Sequence, residues 1–162
     1  MKRFFTLLTL LFGLAMAQDI FAQQITDSGY RTVGYIKSDG TIQDSNYHTI
    51  GYIKSDGRVQ DGNYHTIGYL RDDERVQDAN YHTVGYVKDD GRIQDSNYHT
   101  VGYVKSDGTV QDSNYRTIGY ARGIPLKWAA FYFFFKKSSG YSFSAPPAAS
   151  RPTTWRASAC AE

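Results

Sequence analysis

A unit of 17 residues recurs along most of this chain, and it constrains the fold more than any other feature of the sequence. Five complete units run from Tyr30 to Asn114, and a sixth begins at Tyr115. Residues 24–29 match the second half of a unit, so the array reads as five or as six copies, depending on where counting starts. A unit this short cannot bury its own apolar face, which means that neighbouring copies must share one core.

The composition of the unit predicts β-structure. It is rich in Tyr, Ile, Val and Thr, contains no proline, and alternates along Tyr47–Lys54, so that Ile50 and Tyr52 fall on one face while Gly51 and Ile53 fall on the other. Asp56-Gly57 predicts a hairpin turn. A second turn follows Asp44, and Asn46 there is expected to be left-handed, because glycine replaces this residue in the first copy.

Closure of the array follows from its glycines and its size. A glycine stands in the middle of the first predicted strand of every unit, where it weakens pairing unless backbones crowd together or bend sharply. Two short strands are too few for a propeller blade of about 40 residues. We therefore predict an all-β domain over residues 23–135, a closed radial array or barrel of about five two-stranded hairpins. One turn departs from the pattern, because Glu74 replaces glycine, and we expect a different turn type there.

The repeated "RTVGYIKSDG" and "YHTIGYIKSDG", together with "ARGIPLKWAAFYFFF" after the last copy, resemble the 5-fold β-flower proteins, small secreted proteins of Bacteroides-like bacteria. The resemblance extends to about Phe135 and implies radially arranged hairpins. It implies no established activity, and no functional residue can be transferred from it.

The two ends of the chain differ from the repeats. Residues 1–22 combine a basic start, an apolar run and small residues at Ala15-Met16-Ala17, which is typical of a secretory signal peptide. We therefore expect an exported protein, periplasmic or extracellular, without a transmembrane segment after signal removal. Trp128–Phe135 predicts an apolar strand that closes the array, and the Ser-, Ala- and Pro-rich residues 136–162 predict a disordered tail.

Charge and cysteine content restrict the possible partners. Residues 24–123 hold eleven Lys and Arg against fourteen Asp and Glu, so the repeats lack the basic surface of a nucleic-acid-binding protein. The one cysteine, Cys160, lies near the end of the chain, and the repeats must be stable without disulfides. Glycans or envelope proteins remain as candidate partners.

Three positions of the unit have no role that the predicted turns and core explain: the first Tyr, the following His and the Gln of the return strand. Aromatic faces beside hydrogen-bonding groups suit sugars, and repetition around a ring would make binding multivalent. The predicted ligand-contact ring comprises Tyr47, His48, Gln60, Tyr64, His65, Gln77, Tyr81, His82, Gln94, Tyr98, His99 and Gln111. The alternative is that the tyrosines belong to the core. The direction in which Tyr47 points distinguishes a ligand-contact ring from core packing.

Metal binding and catalysis are disfavoured. The four histidines share a position with Arg31 and Arg116, which a metal-binding ring would not tolerate. The acids repeat in equivalent surroundings, whereas hydrolysis needs two carboxyls in different environments. We therefore expect no cofactor and no enzymatic activity. The sequence favours a structural or interaction protein, with a lectin-like module as the alternative and a metal-binding or hydrolytic protein as a less favoured one.

Overall fold

A computed structural model of the protein describes residues 23–136, and twelve short antiparallel strands make up most of them. The predicted signal peptide and all but the first residue of the predicted tail lie outside the described residues. The strands are β1 (Gln23–Asp27), β2 (Thr32–Ile36), β3 (Thr41–Asp44), β4 (Thr49–Ile53), β5 (Arg58–Asp61), β6 (Thr66–Leu70), β7 (Arg75–Asp78), β8 (Thr83–Val87), β9 (Arg92–Asp95), β10 (Thr100–Val104), β11 (Thr109–Asp112) and β12 (Thr117–Tyr120). A helix, α1 (Leu126–Ala130), and a π-helical segment (Phe131–Phe135) follow.

The strands close into a barrel. Each strand pairs with its neighbours in sequence, and β1 pairs with β12 through Thr26 opposite Tyr120 and Asp27 opposite Gly119. The half unit at the start of the array thereby completes the half unit at its end. Closure removes the free strand edges that an open array would expose. The predicted closed all-β array of hairpins is confirmed. The sequence did not decide between five and six hairpins, and the barrel has six.

The two kinds of turn share one hydrogen-bond pattern. At Ser55-Asp56-Gly57, the amide of Lys54 donates to Arg58 O and that of Gly57 donates to Lys54 O. This is a three-residue hairpin loop whose last residue is left-handed, and Gly57 has a φ of 79°. The loop after Asp44 has the same pattern, but its left-handed residue is Tyr47, with a φ of 65°.

Two expectations about these turns are therefore wrong. Asn46 is not the left-handed residue, because the loop places that conformation at its third position, which Tyr47 occupies. Glu74 does not change its turn either: its φ is 70°, and its carbonyl accepts from Val87 as the glycine carbonyls accept from the equivalent residues. Glu74 Oε2 lies 2.6 Å from Lys88 Nζ, an interaction that helps to offset the backbone strain.

A β-bulge interrupts the predicted alternation in every glycine-containing strand. Ile42 pairs with Gly51 and Gln43 pairs with Thr49, so Ile50 has no partner of its own. The bulge lets Ile50 pack against the same core as Ile53, whereas strict alternation placed them on opposite faces. Burying an Ile or Val contributes about 1.5–3 kcal/mol, so the bulges add apolar burial at Ile50, Ile67, Val84, Val101 and Ile118, whereas Val33 at the first bulge is exposed.

The barrel interior holds the C-terminal helical segment. Phe131 and Phe135 are buried in the core, and Tyr132, Phe133 and Phe134 pack against it. The predicted strand at this position is wrong, since the segment is helical, and a helix satisfies its own backbone polar groups inside a barrel whose strands are already paired. Among residues 23–136 no helix has the length and apolar character needed to span a bilayer.

Four of the mid-strand glycines, Gly34, Gly85, Gly102 and Gly119, make room for this segment. A Cβ at Gly102 would lie 2.5 Å from Phe134 Cε1, and a Cβ at Gly34 would lie 2.6 Å from the Tyr132 hydroxyl. These are distances that carbon atoms do not tolerate, so the repeated glycine is required by close approach. The sequence predicted such crowding but did not identify the helix as its cause.

Candidate functional site

The outer surface of the barrel carries six stacked pairs of tyrosines. In each pair the ring centroids are 4.6–5.0 Å apart and the rings are within 10–17° of parallel. The two hydroxyl oxygens are 2.9–3.1 Å apart. The pairs, with the strand residue (inner tyrosine) first and the turn residue (outer tyrosine) second, are Tyr35–Tyr47, Tyr52–Tyr64, Tyr69–Tyr81, Tyr86–Tyr98, Tyr103–Tyr115 and Tyr120–Tyr30.

The local turn fixes each outer tyrosine. Asp44 Oδ1 accepts hydrogen bonds from the amides of Asn46 and His48, at 2.8 and 2.9 Å, which holds the loop that contains Tyr47. Gln43 Nε2 donates to the carbonyl oxygen of Tyr47 at 2.8 Å. The left-handed backbone of Tyr47 then directs its ring over Tyr35 on the preceding hairpin.

The predicted ligand-contact residues fall into three groups. The outer tyrosines lie outside the core, and each residue is 58–68% exposed. The glutamines support them: Gln60, Gln77, Gln94 and Gln111 donate to the carbonyl oxygens of Tyr64, Tyr81, Tyr98 and Tyr115. The histidines His48, His65, His82 and His99 are exposed beside the outer tyrosines.

The alternative that the tyrosines belong to the core is wrong for the inner tyrosines as well, since none of them is buried. Tyr52 is half-buried on the barrel exterior, where it stacks on Tyr64. Within one unit Tyr47 and Tyr52 are five residues apart, but the stacked partners are twelve residues apart and come from successive units. The constant twelve-residue spacing was visible in the sequence, although only the barrel shows that it joins neighbouring hairpins.

The hydroxyl pairs affect ionisation. The hydrogen bond to the outer hydroxyl raises the pKa of the inner tyrosine in all six pairs, and desolvation raises it further. Cations also lie beside inner rings: Lys54 Nζ is 4.8 Å from the centroid of Tyr52, and Arg71 Cζ is 4.6 Å from that of Tyr69. Each site thus combines an exposed neutral aromatic face with polar or basic neighbours.

The six sites differ in the residue opposite the inner tyrosine. Arginine lies there at Tyr69, Tyr86 and Tyr103, threonine at Tyr52 and Tyr120, and glutamine at Tyr35. Each of these arginines pairs with the aspartate of its own turn, for example Arg75 with Asp73 at 2.6 Å. The ring therefore has equivalent aromatic faces but three kinds of polar surroundings.

The histidines face carboxylates of their own turns. Nδ1 of His48, His65, His82 and His99 lies 3.2–3.4 Å from the turn aspartate. At Asp44 desolvation acts to raise the carboxyl pKa, but hydrogen bonds from His48 and Asn46 leave it lowered overall. Within residues 23–136 no three His, Cys, Asp or Glu side chains are grouped so that they could hold a metal ion.

A depression of about 850 Å³ near the start of α1 is a second candidate site. Ala121, Ile124 and Leu126 supply apolar lining, and Asp90 and Asp107 come from two adjacent turns. Asp107 Oδ1 accepts from the Thr109 amide at 2.8 Å, a bond that lowers the carboxyl pKa. A carboxyl of this kind is a poor general acid, because that role requires a raised pKa.

Comparison with known proteins supports the architecture. A family model described as "5-fold beta-flower protein" matches residues 22–137. The barrel of this chain has six tyrosine pairs and twelve strands, one hairpin more than the name of the family indicates. No curated protein and no solved structure has significant similarity to the chain. Because the match covers most of the sequence and the whole barrel, this protein belongs to the 5-fold beta-flower family.

Proposed function

We propose that this protein is an exported, non-catalytic carbohydrate-binding protein in which the six outer tyrosines form similar shallow sites. The observation that supports this function best is the exposure of these tyrosines: each residue is at least 58% exposed, although its ring is held by a stack and a hydrogen bond. A rigid aromatic face loses little conformational entropy when it packs against the CH groups of a sugar.

The arrangement favours weak single sites and strong multivalent binding. Each outer ring offers one flat face, so a single ring gives a short oligosaccharide few contacts. Six such faces around one rigid barrel can engage repeated sugars of a polysaccharide at once, and avidity can then exceed the single-site affinity by about 10²–10⁴. A purely structural role for the tyrosine pairs is the competing function.

The absence of catalysis is part of the proposal. The acids at both kinds of turn accept backbone hydrogen bonds, and at Asp39, Asp44, Asp61 and Asp78 the carboxyl pKa is lowered. Carboxyls whose pKa values are lowered do not supply the acid with a raised pKa that glycoside hydrolysis uses. A bound polysaccharide should therefore keep its chain length after prolonged incubation with the protein.

The test is binding of the purified protein to immobilised neutral and acidic polysaccharides, compared with matched short oligosaccharides. We expect polysaccharide binding that is much tighter than oligosaccharide binding. Replacing one outer tyrosine, as in Tyr64→Ala, should weaken polysaccharide binding slightly, and replacing three should weaken it at least tenfold. Tyr132→Phe is the control, because Tyr132 packs against the core and should not affect binding.

Two results would contradict the proposal. If the wild-type protein binds no polysaccharide in the panel, the tyrosine pairs have a purely structural role. If a folded triple variant binds polysaccharide as tightly as the wild type, the binding site lies elsewhere on the protein. Circular dichroism of each variant verifies that the barrel is intact.

Export is tested separately. Residues 1–22 support it by their basic start and apolar run. Cells that produce the full chain should release a shortened protein into the periplasm or medium, and deletion of residues 2–22 should abolish this. A full-length protein retained in the cytoplasm would contradict export.

A further inference from the structure

The tyrosine pairs have a second chemical property, which does not depend on sugar binding. Two phenol rings lie nearly parallel with centroids 4.7 Å apart in Tyr69–Tyr81, and their hydroxyl oxygens are 2.9 Å apart. The same geometry recurs at all six pairs. Phenols held side by side are the reactants of oxidative coupling.

We propose that the six pairs are sites of dityrosine formation, which would link neighbouring hairpins of the barrel covalently. A one-electron oxidant, such as a haem peroxidase supplied with hydrogen peroxide, removes a hydrogen atom from each of the two phenols. The two phenoxyl radicals join through a carbon–carbon bond between ring positions ortho to the hydroxyls. Each of these carbons then loses its proton, the dienone oxygen of the same ring gains one, and both rings become phenols again. One hydrogen peroxide is reduced to two waters for each bridge.

The structure favours coupling within a pair over other reactions of the radical. Each outer tyrosine is more than half exposed, so an oxidant can reach it. The inner ring is already in contact with it, which replaces a bimolecular encounter with an intramolecular one. The hydrogen bond between the hydroxyls also gives the leaving proton of one phenol an acceptor on the other.

The bridges would provide the covalent restraint that this domain lacks. The chain has a single cysteine, and that residue lies outside residues 23–136. Five bridges would each join residues twelve positions apart, while the Tyr120–Tyr30 bridge would join residues ninety positions apart. A cross-link that closes a longer loop restricts the unfolded chain more, so the Tyr120–Tyr30 bridge should stabilise the barrel most.

The experiment treats the purified full-length protein with a haem peroxidase and limiting hydrogen peroxide at low protein concentration. We expect monomers that lose two hydrogen atoms of mass for each bridge, together with the blue fluorescence of dityrosine. Peptide mapping should recover the six predicted pairs, and the yield should not change on dilution. Bridged protein should unfold at a higher denaturant concentration.

Matched variants make the result decisive. Tyr81→Phe keeps an aromatic ring but removes the phenol, so it should abolish the Tyr69–Tyr81 bridge and leave the other five. Tyr132 serves as an internal control, since its ring meets Phe133 edge-on at 5.7 Å and has no tyrosine partner there. Products that are only intermolecular dimers, only hydroxylated monomers, or bridges between unpaired tyrosines would overturn the proposal.

Discussion

Tyr120, on the last strand, stacks on Tyr30 in the first turn with ring centroids 4.7 Å apart, and its hydroxyl donates to the Tyr30 hydroxyl at 2.9 Å. The contact spans ninety residues, whereas the other five pairs span twelve. The same side-chain contact that joins neighbouring hairpins therefore also joins the two ends of the array. It lies beside the β1–β12 pairing that closes the barrel.

The first prediction concerns the energy of this stack. A double-mutant cycle with Tyr30→Ala and Tyr120→Ala should give a coupling free energy of about 0.5–1.5 kcal/mol, the range found for aromatic pairs. Urea denaturation of the four proteins measures it. The Tyr52–Tyr64 pair is the control, with equal geometry between neighbouring hairpins. Additive effects at both pairs would mean that the stacks do not stabilise the barrel.

The second prediction concerns the left-handed backbone of the outer tyrosines. Tyr64 has a φ of 66°, a conformation that costs a non-glycine residue roughly 1–2 kcal/mol. Once the ring is removed, Tyr64→Gly should be more stable than Tyr64→Ala by about 1 kcal/mol. At Tyr52, which lies within a strand, the alanine variant should instead be more stable than the glycine variant. Thermal denaturation of the four variants compares them, and an alanine advantage at position 64 would contradict the backbone assignment.

The third prediction concerns the space between the strands and the helical segment. A Cβ at Gly102 would lie 2.5 Å from Phe134 Cε1 and in closer contact with the carbonyl oxygen of Gln111. Gly102→Ala should therefore destabilise the barrel by about 3 kcal/mol or more, because backbone as well as side chain must move. Gly62→Ala is the matched control. A Cβ at Gly62 would lie 3.3 Å from its nearest neighbour, Thr49 O, and the next unit has an alanine, Ala79, at the same position. Equal stability of the two variants would show that the strands do not approach so closely.

The fourth prediction concerns alkaline pH. Desolvation raises the pKa of Tyr132 to about 12, and its hydroxyl donates to Val33 O at 2.9 Å. In the unfolded chain the same tyrosine ionises near pH 10, so above that pH the unfolded state binds fewer protons than the native state. The stabilisation is complete below about pH 10 and is lost as the pH rises towards 12.

Unfolding measured from about pH 8 to about pH 11 checks the effect. The free energy of unfolding should fall more steeply above pH 10 in the wild type than in Tyr132→Phe. The inner tyrosines also have raised pKa values, so the variant should keep part of the slope. Identical slopes in the two proteins would contradict the burial of the Tyr132 hydroxyl.

The hairpins and the closed array could be predicted from the sequence because they depend on local chemistry and on repetition. A glycine such as Gly57 adopts the left-handed backbone of a turn without steric cost, whatever surrounds it. Equivalent units must also pack in equivalent ways. The errors arose where a tertiary contact overrides local preference. Tyr47 occupies a conformation that its own backbone disfavours, and the stack on Tyr35 compensates for it.

The helical segment shows the same limit. Phe131–Phe135 has no pattern that distinguishes a buried strand from a buried helix, since every residue is aromatic. The barrel interior decides between them, because all the surrounding strands already pair with one another and offer no backbone partner to another strand. The bulge at Ile50 is similar, since only the shared core requires that side chain to turn inward.

The sequence by itself determined the repeat, the strands, the turns and the need for closure, because these follow from backbone preferences and from the small apolar content of one unit. Only the tertiary structure decided that six hairpins close the ring, that a helix fills it, and that tyrosines twelve residues apart stack on its outer surface. The reason is physical: stacking, closure and interior packing join residues from different units, and a pattern within one unit carries no information about which of its side chains meets a neighbour.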